Sequence, residues 1–97
     1  MDQYSEELQT FLILLGQHPD QVSEKKAHYL KHLLQLLSLP EENIMKLYYG
    51  LEGNAVRSLS DIAGMCGVTD EQMQQVIYRC LRRMAVTPEW QSIKEMK

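Results

Sequence analysis

Ninety-seven residues, 44% hydrophobic and 24% charged, suit one globular domain with a modest core. A formal net charge of -3 argues against a general nucleic-acid coat, which needs a basic excess, but it leaves room for a local basic face. Two cysteines provide no disulfide framework and point to a reducing, cytoplasmic setting. The first basic residue is Lys25, so no secretory leader is expected, and the longest apolar run, Phe11 to Leu15, is too short to cross a bilayer.

The hydrophobic period is helical throughout, which predicts an all-α fold of five or six short helices. Leu8, Phe11, Leu12 and Leu15 set out the first stripe, closed by Gly16 and Pro19. Asp20 or Ser23 is the expected cap of a second helix carrying Leu30, Leu33, Leu34 and Leu37. Pro40 suits a first helical turn, and Glu41 and Glu42 beside it favour the positive end of the helix dipole. Ile44, Leu47, Tyr48 and Leu51 give the third stripe, broken by Gly50 and Gly53. Ser58 opens a fourth helix with Leu59, Ile62, Ala63 and Cys66 on one face. Thr69 and Gln72 form a capping box for the fifth, whose stripe is Met73, Val76, Ile77, Cys80, Leu81 and Met84. Thr87-Pro88 reads as the cap and first residue of a last helix with Trp90 and Ile93. The chain divides unevenly in charge: residues 1–52 hold eight acids and four bases, residues 53–97 five acids and six bases.

The fourth and fifth segments fill the slots of a helix-turn-helix at about residues 58–84. Ala63 is small where the helices must cross closely. Gly67 follows four residues later, where the turn needs a left-handed backbone. Val68 is expected to plug the corner, and Met73 and Val76 to face back onto Ile62 and Cys66. The competing reading of the same pattern is a plain helical hairpin within a bundle.

Residues 39–84 carry more than this motif. Leu39-Pro40-Glu41-Glu42, Ile44, Leu47, Tyr49-Gly50-Leu51-Glu52-Gly53, Leu59, Ile62-Ala63, Gly67-Val68-Thr69, Gln75, Arg79 and Leu81-Arg82 together resemble region 4 of the bacterial primary-type sigma factors. Tyr-Gly-Leu-Glu-Gly is the most specific element, since generic helix-turn-helix proteins lack it. The resemblance implies a bacterial or phage transcription protein that reads double-stranded DNA in the major groove and also contacts RNA polymerase. Residue by residue, it implies Thr69 at a phosphate, Glu71 accepting from a cytosine amino group, Gln75 at a base edge or the backbone, and Arg79 and Arg82 as basic contacts. Gln74 can pair with an adenine edge, and Arg83 completes the basic cluster. Asp70 and Gln74 stand where the family presents arginines, and Gln72 replaces another base.

Other signals are weaker. His28 and His32 lie one helical turn apart, a metal-ligand spacing, but Tyr29 between them rules out a His-Glu-x-x-His hydrolase motif, and two solvated histidines is the favoured reading. Cys66 and Cys80 read as small core residues. No glycine-rich phosphate loop, nucleophile triad or carboxylate pair is present, so neither catalysis, metal nor cofactor is expected. In the first helix Leu8, Phe11, Ile13, Leu14 and Leu15 point around much of the cylinder, so core burial and contact with a partner, including a homodimer, both fit. Two functions compete. One is a small DNA-binding transcription protein. The other is a protein-interaction module on the same scaffold that binds RNA polymerase, a sigma factor or itself without touching DNA. The intact motif and the arginine cluster favour the first, the acidic balance and Asp70 the second.

Overall fold

The computed structural model describes residues 1–96, and among them every regular element is helical. The order is α1 (Gln3–Gln17), a single 3₁₀ turn (Pro19–Gln21), α2 (Glu24–Leu34), α3 (Leu39–Tyr49), α4 (Leu59–Cys66), α5 (Asp70–Ala85) and α6 (Pro88–Glu95). No helix among the described residues is long and apolar enough to cross a membrane.

Local chemistry starts each helix. Asp2, Ser23, Ser38, Ser58, Thr69 and Thr87 all place a side-chain oxygen on an otherwise unpaired first-turn amide. Ser38–Glu41 and Thr69–Gln72 are full capping boxes, each satisfying two amides reciprocally. Of the two caps considered for α2, Ser23 is the one used, because the 3₁₀ turn already engages residues 19–21.

One cluster of buried side chains draws on all six helices. Leu8 and Leu12 of α1, Leu30, Leu33 and Leu34 of α2, Met45 and Tyr49 of α3, Ile62 and Ala63 of α4, and Trp90 and Ile93 of α6 surround Met73, Ile77, Cys80, Leu81 and Met84 of α5. Each such leucine contributes roughly 1.5–3 kcal/mol by leaving water. α5 is the central element: α1, α3, α4 and α6 all pack on it. On the far side of α1, Phe11 meets Trp90 with ring centroids 5.5 Å apart.

Several expectations need correction. α1 ends at Gln17, between Gly16 and Pro19 as expected, but Gly16 has a further role the period does not show, because α1 crosses the end of α3 there. A Cβ on Gly16 would collide with the Tyr49 carbonyl oxygen. The third stripe is shifted. The buried line of α3 is Glu42, Met45 and Tyr49, while Ile44, Leu47 and Tyr48 are half-buried. Gly50 caps the helix in the left-handed region at φ 68°, so Leu51 is buried beyond the helix and not along it. Glu52 follows at φ 54°, a conformation that disfavours a side chain, and Lys46 binds its carboxylate at 2.8 Å. The Glu52 and Glu42 carboxylates hold the Lys46 ammonium above its ordinary pKa, Glu52 contributing most. The Tyr-Gly-Leu-Glu-Gly element is thus a folded turn. Its tyrosine is inside, with the Tyr49 hydroxyl donating to Gln9 Oε1 at 2.8 Å, so Tyr49 offers no surface to a partner.

Gly67 takes the expected left-handed conformation at φ 68°. Val68, however, is 38% exposed and lies outside the buried core, and Cys66, at the last turn of α4, is exposed and not a core residue. Cys80 is buried as expected. Its thiol is pushed up to about 11 by burial, with the Glu41 carboxylate adding to the effect. One thiol per chain, Cys66, should therefore react with a maleimide in the native protein, and Cys80 only after unfolding. Mass spectrometry of the labelled chain counts them. Two fast-reacting thiols would contradict the placement of Cys80.

Candidate nucleic-acid interface

α4 and α5 are joined by residues 67–69 and held together in two ways. Ile62 and Ala63 pack against the α5 stripe, and the Ser60 hydroxyl donates to Asp70 Oδ2 at 2.5 Å. Asp70, the residue that departs from the sigma-factor arginine pattern, is thereby a clasp between the two helices.

The outer face of α5 is set by the period of its inner one. With Met73, Ile77, Cys80, Leu81 and Met84 buried, Glu71, Gln75, Arg79 and Arg82 fall on the opposite side, with Gln74 and Arg83 on the flanks. Thr69, Glu71, Gln74, Gln75, Arg79, Arg82 and Arg83 are all exposed. Gln75, Arg79 and Arg82 share one stripe at i, i+4 and i+7. Tyr78, 40% exposed, belongs to this surface and was not singled out from sequence: its hydroxyl accepts from Gln74 Nε2 at 2.8 Å. Its place one turn after Gln74 and one turn before Arg82 was the available signal.

The helix start is less open to an anion than the sequence suggests. The Thr69 amide donates to Gln72 Oε1 at 3.0 Å and is not free to meet an anion, while the Thr69 hydroxyl accepts from the Gln72 amide at 3.1 Å and keeps its own O–H to donate. Asp70 and Glu71 occupy the first turn, where their charges already complement the helix dipole.

The arginines differ from one another. Arg82 Nη1 lies 3.1 Å from Asp2 Oδ2, and Arg83 Nη1 lies 3.8 Å from Glu41 Oε1. Arg79 makes no ion pair among the described residues. Glu41 is engaged first at home: the Ser38 amide and hydroxyl hold its carboxyl below the ordinary range, with Arg83 adding to this. The His28 and His32 Nε2 atoms are 3.3 Å apart on exposed positions, and among the described residues no group of three His, Cys, Asp or Glu is placed to hold a metal.

The comparisons with known proteins agree with the motif resemblance. A stretch of 57 residues, 59% of this chain, is 37% identical to the RNA polymerase sigma factor sigF, chloroplastic, of Arabidopsis thaliana. A stretch of 55 residues, 57% of the chain, is 33% identical to the RNA polymerase sigma factor SigA of a Bacillus species. The matches span 10% and 15% of those relatives, so the chain corresponds to a small part of each. Neither a family model nor a solved structure matches the chain. The chain carries a sigma-factor-like segment. One of these two relatives is a plastid protein, so the resemblance is not confined to bacteria and phage.

Proposed function

We propose that this chain is a transcription protein in which α4 and α5 act as a helix-turn-helix, α5 entering the major groove of double-stranded DNA. In this reading residues 1–97 are one domain and residues 39–84 its sigma-region-4-like part. The observation that carries it is the exposed stripe of Gln75, Arg79 and Arg82 along the one helix that all the neighbouring helices hold rigid from behind. Arg79 and Arg82 bind phosphates, with Arg83 on the flank. Gln75 and Gln74 meet base edges, and Glu71 accepts from a cytosine amino group. Thr69 acts through its cap, fixing the angle at which α5 leaves the turn.

The second reading is a protein-interaction module for RNA polymerase, a sigma factor or a second copy of the chain. It is favoured by the two arginines already facing carboxylates of the same chain and by the acidic first turn of α5.

Arg79→Ala and Gln75→Ala separate the two. In the DNA reading Arg79→Ala weakens binding to every duplex alike and flattens the dependence of log affinity on log salt by roughly one unit. Gln75→Ala instead relaxes the preference at one base pair and leaves the slope unchanged. Filter binding or fluorescence anisotropy on duplex variants reads both. Should neither variant alter binding, α5 does not face DNA, and binding to purified RNA polymerase becomes the experiment of choice.

A further inference from the structure

The N-terminal end of α1 lies against the C-terminal half of α5. Met1, Asp2 and Ser5 from one side, and Tyr78, Arg79 and Arg82 from the other, line a cleft of about 420 Å³. Asp2 does two things in it. Its Oδ1 accepts from the Ser5 amide at 2.8 Å, capping α1, and its Oδ2 takes Arg82 Nη1 at 3.1 Å. The cap fixes where this carboxylate points. Leu8 and Leu12, fully buried, fix where the helix end sits. The pair joins residues 80 positions apart in sequence, so it belongs to the tertiary fold.

A carboxylate oxygen and a phosphate oxygen offer a guanidinium the same charge-assisted hydrogen bond. The Arg82 side chain is 70% exposed on the outer stripe of α5 and Asp2 stands at its edge, so a phosphate approaching Arg82 meets Asp2 first as a rival and then as a like charge. We propose that Asp2 is an internal competitor for phosphate: it holds Arg82 in the free protein, yields it on docking, and so lowers the affinity of the α5 face for DNA without altering its sequence preference. This rests on the DNA reading above and adds its regulation. α1, which lies outside the region 39–84 that carries the sigma-factor motifs, then tunes the part that carries them.

Asp2→Asn is the test, because asparagine caps a helix as well as aspartate while removing the charge. Binding to a short mixed-sequence DNA duplex at low salt should tighten about threefold, since Arg82 no longer has to leave Asp2, while the salt slope stays nearly the same, because Arg82 meets its phosphate in both proteins. In an Arg82→Ala background the same substitution should gain clearly less affinity than it does in the wild-type background, since no guanidinium is left for Asp2 to hold. The proposal is overturned if wild type binds DNA with clear salt dependence and Asp2→Asn, with unchanged helix content by circular dichroism, binds with the same affinity, or gains as much affinity without Arg82 as with it. A different failure is equally readable: if neither wild type nor Asp2→Asn shows salt-dependent binding, the DNA reading itself falls and the competitor role falls with it.

Discussion

Gly16→Ala should cost roughly 3 kcal/mol of folding stability, the largest loss expected for so small a change. Within a helix this substitution ordinarily helps by about 1 kcal/mol, because glycine loses more backbone freedom on folding. Here the added methyl meets the Tyr49 carbonyl oxygen, with the Tyr49 carbonyl carbon 3.0 Å and the Gly50 oxygen 3.4 Å away. These are backbone atoms at the end of α3, and they cannot rotate aside. Tyr49 is pinned by its hydrogen bond to Gln9, Leu51 by its burial, and Glu52 by Lys46. α1 would have to lift off α3, loosening Leu12 and Leu8 from the core. Gly64 is the control: it is exposed in α4 with nothing near its missing Cβ, so Gly64→Ala should gain about 0.5–1 kcal/mol. Urea unfolding of the two variants against wild type measures both. Equal stability of the two would show that α1 does not cross α3 where it is drawn.

That contrast also marks what a sequence discloses. The caps at Ser58, Thr69 and Thr87 were legible because a cap is written within four residues, and the α5 stripe because one face of a long helix repeats many times. Gly16 was legible as part of the end of α1 but not as a contact: its neighbour is the backbone of a residue 33 positions away, which no local pattern names. The stripe of α3 names residues that do reach the core, Ile44, Leu47 and Tyr48 in part and Leu51 fully, but it misplaces the helix's most buried line for a related reason. Gly50 ends the helix a residue before Leu51, so Leu51 was counted on a face it does not share. Cys66 lies on the right face by period, but it sits at the last turn of α4, next to the Gly67 cap, and is exposed.

The candidate face was legible in composition and less so in electrostatics. All seven predicted positions are exposed, as their spacing against the buried stripe required. Their partners were hidden. Nothing near Arg82 in sequence names Asp2, and nothing near Asp70 names Ser60. Asp70 had the look of a lost arginine contact; in the fold it ties α5 to α4. Asp70→Arg therefore exchanges a clasp for a charge, and it is a poorer probe of DNA contact than Arg79→Ala.

The most direct measurement is binding of the wild-type chain to a DNA duplex across a salt series. With Arg79, Arg82 and Arg83 contributing two to three phosphate contacts, each releasing about 0.9 counterions, affinity should fall by roughly ten- to fortyfold between about 50 and 200 mM salt. Affinity that is absent at low salt, or that does not change as salt rises, would contradict the assignment of α5 to the major groove.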